Sequence, residues 1–303
     1  MVFTHVIFAV AMALQTVPTD HQEPTRVDDV TVRAEAGRQA AREQIEGFVD
    51  TATKSPRGRP LARWSDPVCI AAINFQLEFG RALIDRVARR MVESGLDVKE
   101  EGCRPDLLII GTDDGKGLAR TLVSDDAQRF RPSRANTDLG SAALQDFQET
   151  DSPIRWWHIS LPVSVDTGEI AIKLDGETEP PAVYVRDASR LRSNIRDDLK
   201  RVIIIIEPSR LEGVRGTALA DYVAFVSMAQ VTPNARMENF DSILNLLHDP
   251  ESYDELTLWD QDFLAGLYAV SAARLSQSQQ RNDVVGAVLR RRDAEIRVPV
   301  SPQ

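Results

Sequence analysis

The hydrophobic positions of the first half of the chain follow two periods, which predict strands and a helix between them. Short apolar runs at 68–73 and 107–111 are typical of buried strands. Between them, residues 76–94 place apolar side chains at helical spacing, and Gly95 follows where a helix-ending residue is expected. This order of strand, helix and strand predicts a parallel pair joined by a right-handed crossover.

The second half of the chain repeats the strand pattern before it becomes helical. RWWHISLPVSV at 155–165 and EIAIKL at 169–174 flank the turn sequence DTG, which predicts a β-hairpin. Residues 182–186 predict a further strand. Five successive β-branched residues at 202–206 predict the central strand of the sheet.

Helical periods mark the remaining segments, at 35–53, 117–122, 142–147, 219–230, 240–247, 259–269 and 275–292. Together the patterns predict an α+β fold, with a mixed β-sheet, packed helices and a helical C-terminal third. One globular domain is expected over 35–297. Its first part, 35–150, is βαβ-like, and its second part, 151–297, combines the sheet with the C-terminal helices.

The first residues of the chain predict export. An apolar run from Val6 to Leu14 with alternating small residues matches the apolar region and cleavage site of a signal peptide, expected over 1–15. Residues 16–34 are rich in Pro, Asp, Glu and Thr and predict a flexible leader, while 298–303 predict a disordered tail. The apolar run is shorter than the roughly 20 residues that span a bilayer, so no transmembrane span is expected. A periplasmic or otherwise exported protein is predicted.

Charge and cysteine content narrow the possible partners. The 303 residues carry a formal net charge of −10, which argues against a nucleic-acid partner because such a surface repels phosphates. An unknown envelope protein or a small ligand is the expected partner. The two cysteines, Cys69 and Cys103, lie near the two strands of the βαβ unit, and export permits a disulfide between them. The alternative is a pair of small buried thiols.

Familiar catalytic motifs are missing or incomplete. GTDDGKG at 111–117 follows a strand, but its glycine spacing is one residue short of a phosphate-binding loop. A single DTG at 166–168 lacks the second carboxylate of an aspartic peptidase and fits a turn. The chain has neither G-x-S-x-G nor H-E-x-x-H. No cofactor is expected.

The densest aromatic cluster is Trp156, Trp157 and His158. Strand alternation places Trp156 and His158 on one face and Trp157 on the other. The cluster is a possible ligand surface, with His158 as a weak candidate for a general acid or base. The alternative is that these side chains pack within the sheet.

The C-terminal third resembles the core of zincin-type metallopeptidases. In those families a strand and a metal-binding helix are followed by a segment of the type S-I-M-N and a helix of the type L-x-x-x-D-x-x-x-L-x-x-L-Y. This chain has SILNLL at 242–247 and LTLWDQDFLAGLY at 256–268. The resemblance places the H-E-x-x-H pattern on positions 221–225, where the chain reads DYVAF.

The resemblance therefore implies a zincin-like scaffold without its zinc ligands. Asp221 and Phe225 stand where two histidines would bind zinc, and Tyr222 stands where a glutamate would activate water. With RWWHISLPV at 155–163, the isoleucine run at 203–206 and LADYVAFVSMAQV at 219–231, nearly the whole chain also resembles a family of uncharacterised bacterial envelope proteins, for which no activity is implied. The favoured interpretation is a non-catalytic exported protein, a pseudo-peptidase that acts as a binding or scaffold module in the cell envelope. The alternative is a hydrolase with an acidic cation site, for which the weak candidates are His158, Asp221, Glu238 and Asp241.

Overall fold

The computed structural model describes residues 27–186 and 190–297, with side chains over 35–186 and 190–294. It shows the predicted α+β fold. The helices of the described residues are α1 (Val27–Ala52), α2 (Leu77–Glu93), α3 (Gly115–Asp125), α4 (Ala127–Phe130), α5 (Ser141–Glu149), α6 (Gly216–Met228), α7 (Leu258–Ala269) and α8 (Gln277–Arg297). The strands are β1 (Ile70–Ile73), β2 (Leu107–Gly111), β3 (Ile154–Ser164) and β4 (Ile195–Ile206). The described residues from 41 onward form one compact unit, and all contacts given below lie within it.

The four strands form one mixed sheet in the order β1-β2-β4-β3. β1, β2 and β4 run parallel, with α2 as the crossover between β1 and β2, so the predicted βαβ unit is confirmed. β4 contains the run of β-branched residues at 202–206 and lies inside the sheet, as predicted. β3 pairs antiparallel with β4 and forms an outer edge.

The predicted hairpin at 155–174 is confirmed only at its turn, where 162–164 and 169–171 are hydrogen-bonded, and the predicted strand pairing beyond it is wrong. β3 pairs with β4, and the segment at 169–174 contributes only an isolated bridge between Val163 and Ile170. Residues 182–186 are not a strand. β4 is a better partner because its alternating apolar side chains continue both hydrophobic cores, whereas the intervening segment is rich in Pro, Gly and Glu.

Two boundaries also differ from the sequence-based prediction. The segment at 240–247 forms only a 3₁₀ turn at Ile243–Asn245, held by a neighbouring aspartate described below. α1 begins at Val27, so 27–34 are helical and do not belong to a flexible leader. The predicted signal peptide and the C-terminal tail lie outside the described residues.

The two faces of the sheet carry separate hydrophobic cores. α1, α2, α6, α7 and α8 contribute to the larger core on one face, while α3, α4 and α5 form the smaller core on the other. Trp156 packs in the larger core and Trp157 in the smaller one, which confirms the predicted alternation along β3. The sheet is therefore a middle layer, and neighbouring residues of β3 send their side chains into the two different cores.

A disulfide joins the beginning of β1 to the loop before β2. Cys69 and Cys103 are bonded, with their Cα atoms 6.0 Å apart, so the disulfide prediction is confirmed. The bond fixes the loop that follows α2 against the parallel strand pair. Across the described residues, none of the helices has the length and apolar character needed to cross a membrane.

Candidate binding site at the edge strand

Asp221, on α6, is the centre of a buried ion network. Arg86 donates to both carboxylate oxygens from Nε and Nη2 at 2.7 and 2.9 Å, and Arg90 does the same at 3.0 and 2.7 Å. The Leu256 N–H donates to Oδ2 at 2.8 Å. Burial alone would raise the pKa of Asp221, but the hydrogen bonds from Arg90, Arg86 and Leu256 outweigh it and lower the pKa. Asp221 is thus an anionic anchor between α2, α6 and the start of α7.

The other positions of the 221–225 segment are also structural. Phe225 is fully buried and packs against Phe263 of α7 with ring centroids 5.8 Å apart. Tyr222 faces Trp156 of β3 in an edge contact at 6.2 Å, and burial raises the pKa of its hydroxyl. The tyrosine therefore stays neutral at physiological pH and cannot replace a general base.

The aspartate of the 256–268 segment explains the SILN sequence that precedes it. Asp260 is buried in α7 and accepts hydrogen bonds from the Ser242 hydroxyl at 2.7 Å and the Ile243 N–H at 2.8 Å. The Thr257 N–H donates to the same carboxylate at 3.0 Å and the Asp260 N–H donates to the Thr257 hydroxyl oxygen at 3.3 Å, which completes a capping box at the start of α7. Serine and aspartate at this spacing thus tie the 242–247 turn to α7.

The acidic candidates do not converge on a cation site. Glu238 and Asp241 are both exposed, and the Glu238 carboxylate lies 3.9 Å from the Arg236 guanidinium. Asp221 is already surrounded by two arginines. Over the part of the chain that the structure describes, no group of three or more His, Cys, Asp or Glu side chains could hold a metal ion. The structure does not bring these carboxylates to His158, as the cation-site hypothesis requires.

His158 and the two tryptophans are held by main-chain carbonyls. His158 Nε2 lies 2.8 Å from the Val226 carbonyl of α6, and burial lowers the pKa of the imidazole to about 4. Trp157 Nε1 donates to the Phe130 carbonyl at 2.9 Å, on the opposite face of the sheet. Both tryptophans are more than nine-tenths buried. They are packed side chains that form the walls of a site, and they do not form an exposed aromatic surface.

The main chain of β3 has an outer side that faces away from the sheet. At its beginning, Pro153 O accepts from the Glu207 N–H that follows β4, so the odd-numbered residues turn their main-chain groups inward. At its end, Ser164 N–H and Pro162 O bond to the outer segment at 169–171, so the even-numbered residues face outward. Pro162 fits this outer position because it has no N–H to donate to a ladder.

Trp156 and His158 therefore present their N–H and C=O groups at the free edge. None of the described residues forms a hydrogen bond with these four groups. The neighbouring outward residue, Ser160, uses its hydroxyl to donate to the Thr137 carbonyl. An edge with unpaired main-chain groups is a template for another extended chain.

A narrow cleft of about 40 Å³ runs along this edge. One wall comes from α5 and the loop before it, and the other from the segment that follows α6. This volume holds about three waters, so the cleft is too narrow for a drug-sized ligand without movement of its walls. Its lining residues include Leu139, Ala143, Phe147, Trp156, His158 and Val231.

Sequence reasoning missed the edge itself, although a signal was present. Pro162 interrupts an otherwise strong strand pattern, and proline within a strand indicates an edge. Arg155 was also missed. Its guanidinium is buried and Nη2 donates to Glu207 at 2.7 Å and to the Ser152 carbonyl at 3.1 Å, which ties the start of β3 to the end of β4.

Comparison of the chain with protein-family models, with curated proteins and with solved structures gave no match.

Proposed function

We propose that this chain is a non-catalytic exported binding protein that takes up an extended peptide segment of a partner along the free edge of β3. The observation that carries the proposal is the pair of outward-facing residues, Trp156 and His158, whose main-chain groups have no protein partner among the described residues. An extended peptide supplies alternating N–H and C=O groups with the spacing that this edge requires.

The cleft beside the edge favours a peptide with apolar side chains. Ala143 and Phe147 of α5 lie on one side of β3 and Val231 on the other, so alternate side chains of an added strand would meet apolar walls. The walls of the cleft must move apart to admit either a small molecule or a peptide, and only a peptide also gains main-chain hydrogen bonds at the free edge. The partner is therefore an envelope protein with an exposed or unfolded apolar strand.

Two further features support the non-catalytic and exported parts of the proposal. Asp221 is bound by two arginines and Phe225 is buried in the core, so the positions compared with the zincin ligands have structural roles. Strand β4, helix α6, the SILN turn and helix α7 follow one another in the order on which the comparison with a degenerate peptidase rests. The disulfide between Cys69 and Cys103 is the kind of bond that persists in an oxidising compartment.

Amide hydrogen exchange followed residue by residue tests the proposal in the free protein. The amides of Trp156 and His158 should exchange much faster than those of Arg155 and Trp157, whose main-chain groups face β4. Equal protection of all four amides would show that the edge is already paired and would remove the basis for strand addition.

The bound state is tested with peptides selected from a random displayed library on the folded protein. A bound peptide should slow exchange at Trp156 and His158. Ala143→Phe, which fills one wall of the cleft, should abolish binding, whereas Ala142→Phe on the exposed side of the same helix should not. A selected peptide that binds both variants equally and leaves the two amides unprotected would contradict the proposal.

A further inference from the structure

A second pocket lies on the face of the sheet that carries α3 and α5, beyond the point where these helices stop covering β3 and β4. It has a volume of about 380 Å³. Ile159 and Leu161 of β3 line it, together with one acidic residue, Asp126, and four cationic residues, Arg104, Arg129, Lys200 and Arg201. Such a concentration of positive charge is unexpected in a chain with a net charge of −10.

A β-bulge directs two of these cations into the same pocket. Ile159 pairs with Arg201 and the next residue, Ser160, pairs with Leu199, so Lys200 is an extra residue in β4. In a regular strand, Lys200 and Arg201 would point to opposite faces. Here both line one pocket, and bulges commonly re-aim side chains in this way next to functional sites.

Arg104 enters from the loop before β2. This arginine follows Cys103, so the disulfide to Cys69 holds its position in the chain against the sheet. The bulge and the disulfide therefore restrain three of the four cationic positions, and neither of these restraints depends on the edge-strand cleft.

The positive charges of the pocket are only partly neutralised. Arg129 pairs with Asp126 at 2.8 Å, and Lys200 lies 3.0 Å from Asp66 and 3.5 Å from Asp198. Among the described residues, no hydrogen bond or ion pair joins an acidic side chain to Arg104 or Arg201.

The local electrostatics of Arg201 agree with this lack of neutralisation. Burial lowers the pKa of its guanidinium, and the neighbouring charges of Arg104 and Arg129 lower it further, which together outweigh the opposite effect of Asp106 and Asp126. Arginine nevertheless remains protonated in proteins, so the repulsion persists until an anion enters.

We propose that this pocket binds a phosphate ester, with the phosphate between Arg104 and Arg201 and the organic group over Ile159 and Leu161. Two arginines without carboxylate partners match the charge of a phosphate monoester, and guanidinium groups bind phosphate oxygens in a bidentate geometry. The apolar floor selects an ester over inorganic phosphate. The ester is either a soluble metabolite or the headgroup of an anionic lipid, because both present the same chemistry.

Calorimetric titration with phenyl phosphate at low ionic strength and near neutral pH tests the site. One saturable site per chain is expected, with weaker binding of methyl phosphate because it lacks contact with the apolar floor. Arg104→Gln and Arg201→Gln should each weaken phenyl phosphate binding by about tenfold or more. Arg236→Gln removes the same charge from an exposed position outside the pocket and should leave the affinity unchanged.

The variants also separate binding from folding. Arg201 lies within β4, so thermal unfolding must show that the Arg201→Gln variant is folded. If that variant is unfolded, Arg104→Gln on the exposed loop provides an independent test. Absence of a saturable phenyl phosphate site would overturn the proposal. An equal loss of affinity in Arg236→Gln would also overturn it, because the binding would then reflect net charge alone.

Vesicle sedimentation distinguishes the two sources of the phosphate. Binding to vesicles of phosphatidic acid, whose headgroup is a phosphate monoester, in phosphatidylcholine would identify a lipid headgroup if it is lost in Arg104→Gln. Binding of phenyl phosphate without vesicle binding would identify a soluble ester. If the protein binds neither phenyl phosphate nor these vesicles, the pocket is not a phosphate site.

Discussion

Removal of the Asp221 carboxylate is the most direct test of its structural role. Asp221→Ala leaves the guanidinium groups of Arg86 and Arg90 without their shared acceptor and the buried Leu256 N–H without a partner. Removing one side of a buried ion pair costs about 3–5 kcal/mol, and a buried unpaired N–H costs about 1–3 kcal/mol.

The two arginines retain partial access to solvent, which limits the cost. Their side chains are 21% and 13% exposed, and Glu255 lies within 3.6 Å of Arg86 and 3.0 Å of Arg90. Both guanidiniums can therefore be partly resolvated after the substitution. We expect Asp221→Ala to lower the free energy of unfolding by about 3–4 kcal/mol.

Urea unfolding near neutral pH measures this loss, with the exposed Asp241→Ala as the control of equal charge change. The control should shift the free energy of unfolding by less than about 0.5 kcal/mol. Asp221→Asn should lie between the wild type and Asp221→Ala because the amide oxygen still accepts hydrogen bonds. A loss below about 1 kcal/mol in Asp221→Ala would refute the proposed anchor.

The dependence of stability on acidic pH provides a second test of the same ion network. The folded pKa of Asp221 is lower than the ordinary value near 4 of the unfolded chain. Its contribution is therefore fully present above that value and is lost as pH falls through the folded pKa. Asp221→Asn should remove this part of the acid sensitivity. Stoichiometric zinc in the wild type that is absent from Asp221→Ala would instead identify a metal ligand.

Three further substitutions test other parts of the fold. Cys103→Ser opens the 34-residue separation from Cys69 and should cost about 4 kcal/mol in urea unfolding, with no further loss on adding a reductant. Burial raises the folded pKa of Asp260 to about 6, so the free energy of unfolding should fall by up to about 3 kcal/mol as pH rises from about 4 to 6. Asp260→Asn should abolish this slope in pH-dependent unfolding. An unchanged slope would exclude Asp260 as its source. Gly115→Ala would overlap the Glu207 carboxylate and should lower the thermal unfolding midpoint by the equivalent of about 1–3 kcal/mol, whereas Gly37→Ala, with open space around it, should not.

Local patterns in the sequence were sufficient to predict most of the scaffold. The apolar runs of β1 and β2 and the helical period of α2 identified the parallel unit, because these elements depend on neighbouring residues. Alternation along β3 placed Trp156 and Trp157 on opposite faces, since the side-chain period of a strand is independent of its partner. A disulfide between Cys69 and Cys103 could be predicted as one alternative because both cysteines lie next to strands of the same βαβ unit.

The partners of these elements were decided by long-range contacts. β3 pairs with β4 although residues 165–194 separate them and a nearer segment has a suitable strand pattern. The sequence alone suggests a degenerate metal ligand at Asp221 and does not reveal its arginine partners, because they lie 131 and 135 residues away in the chain. No local period reveals an acceptor at that separation.

The sequence by itself determined the α+β class, the main helices and strands, and the face on which each β3 side chain lies. Only the tertiary structure decided that β3 has a free edge, that Asp221 is enclosed by arginines, and that a bulge directs Lys200 and Arg201 into one pocket. Residue periodicity follows from the geometry of a single helix or strand, whereas these features depend on which elements pack together. Binding sites on this chain arise from that packing, so they became visible only in the folded structure.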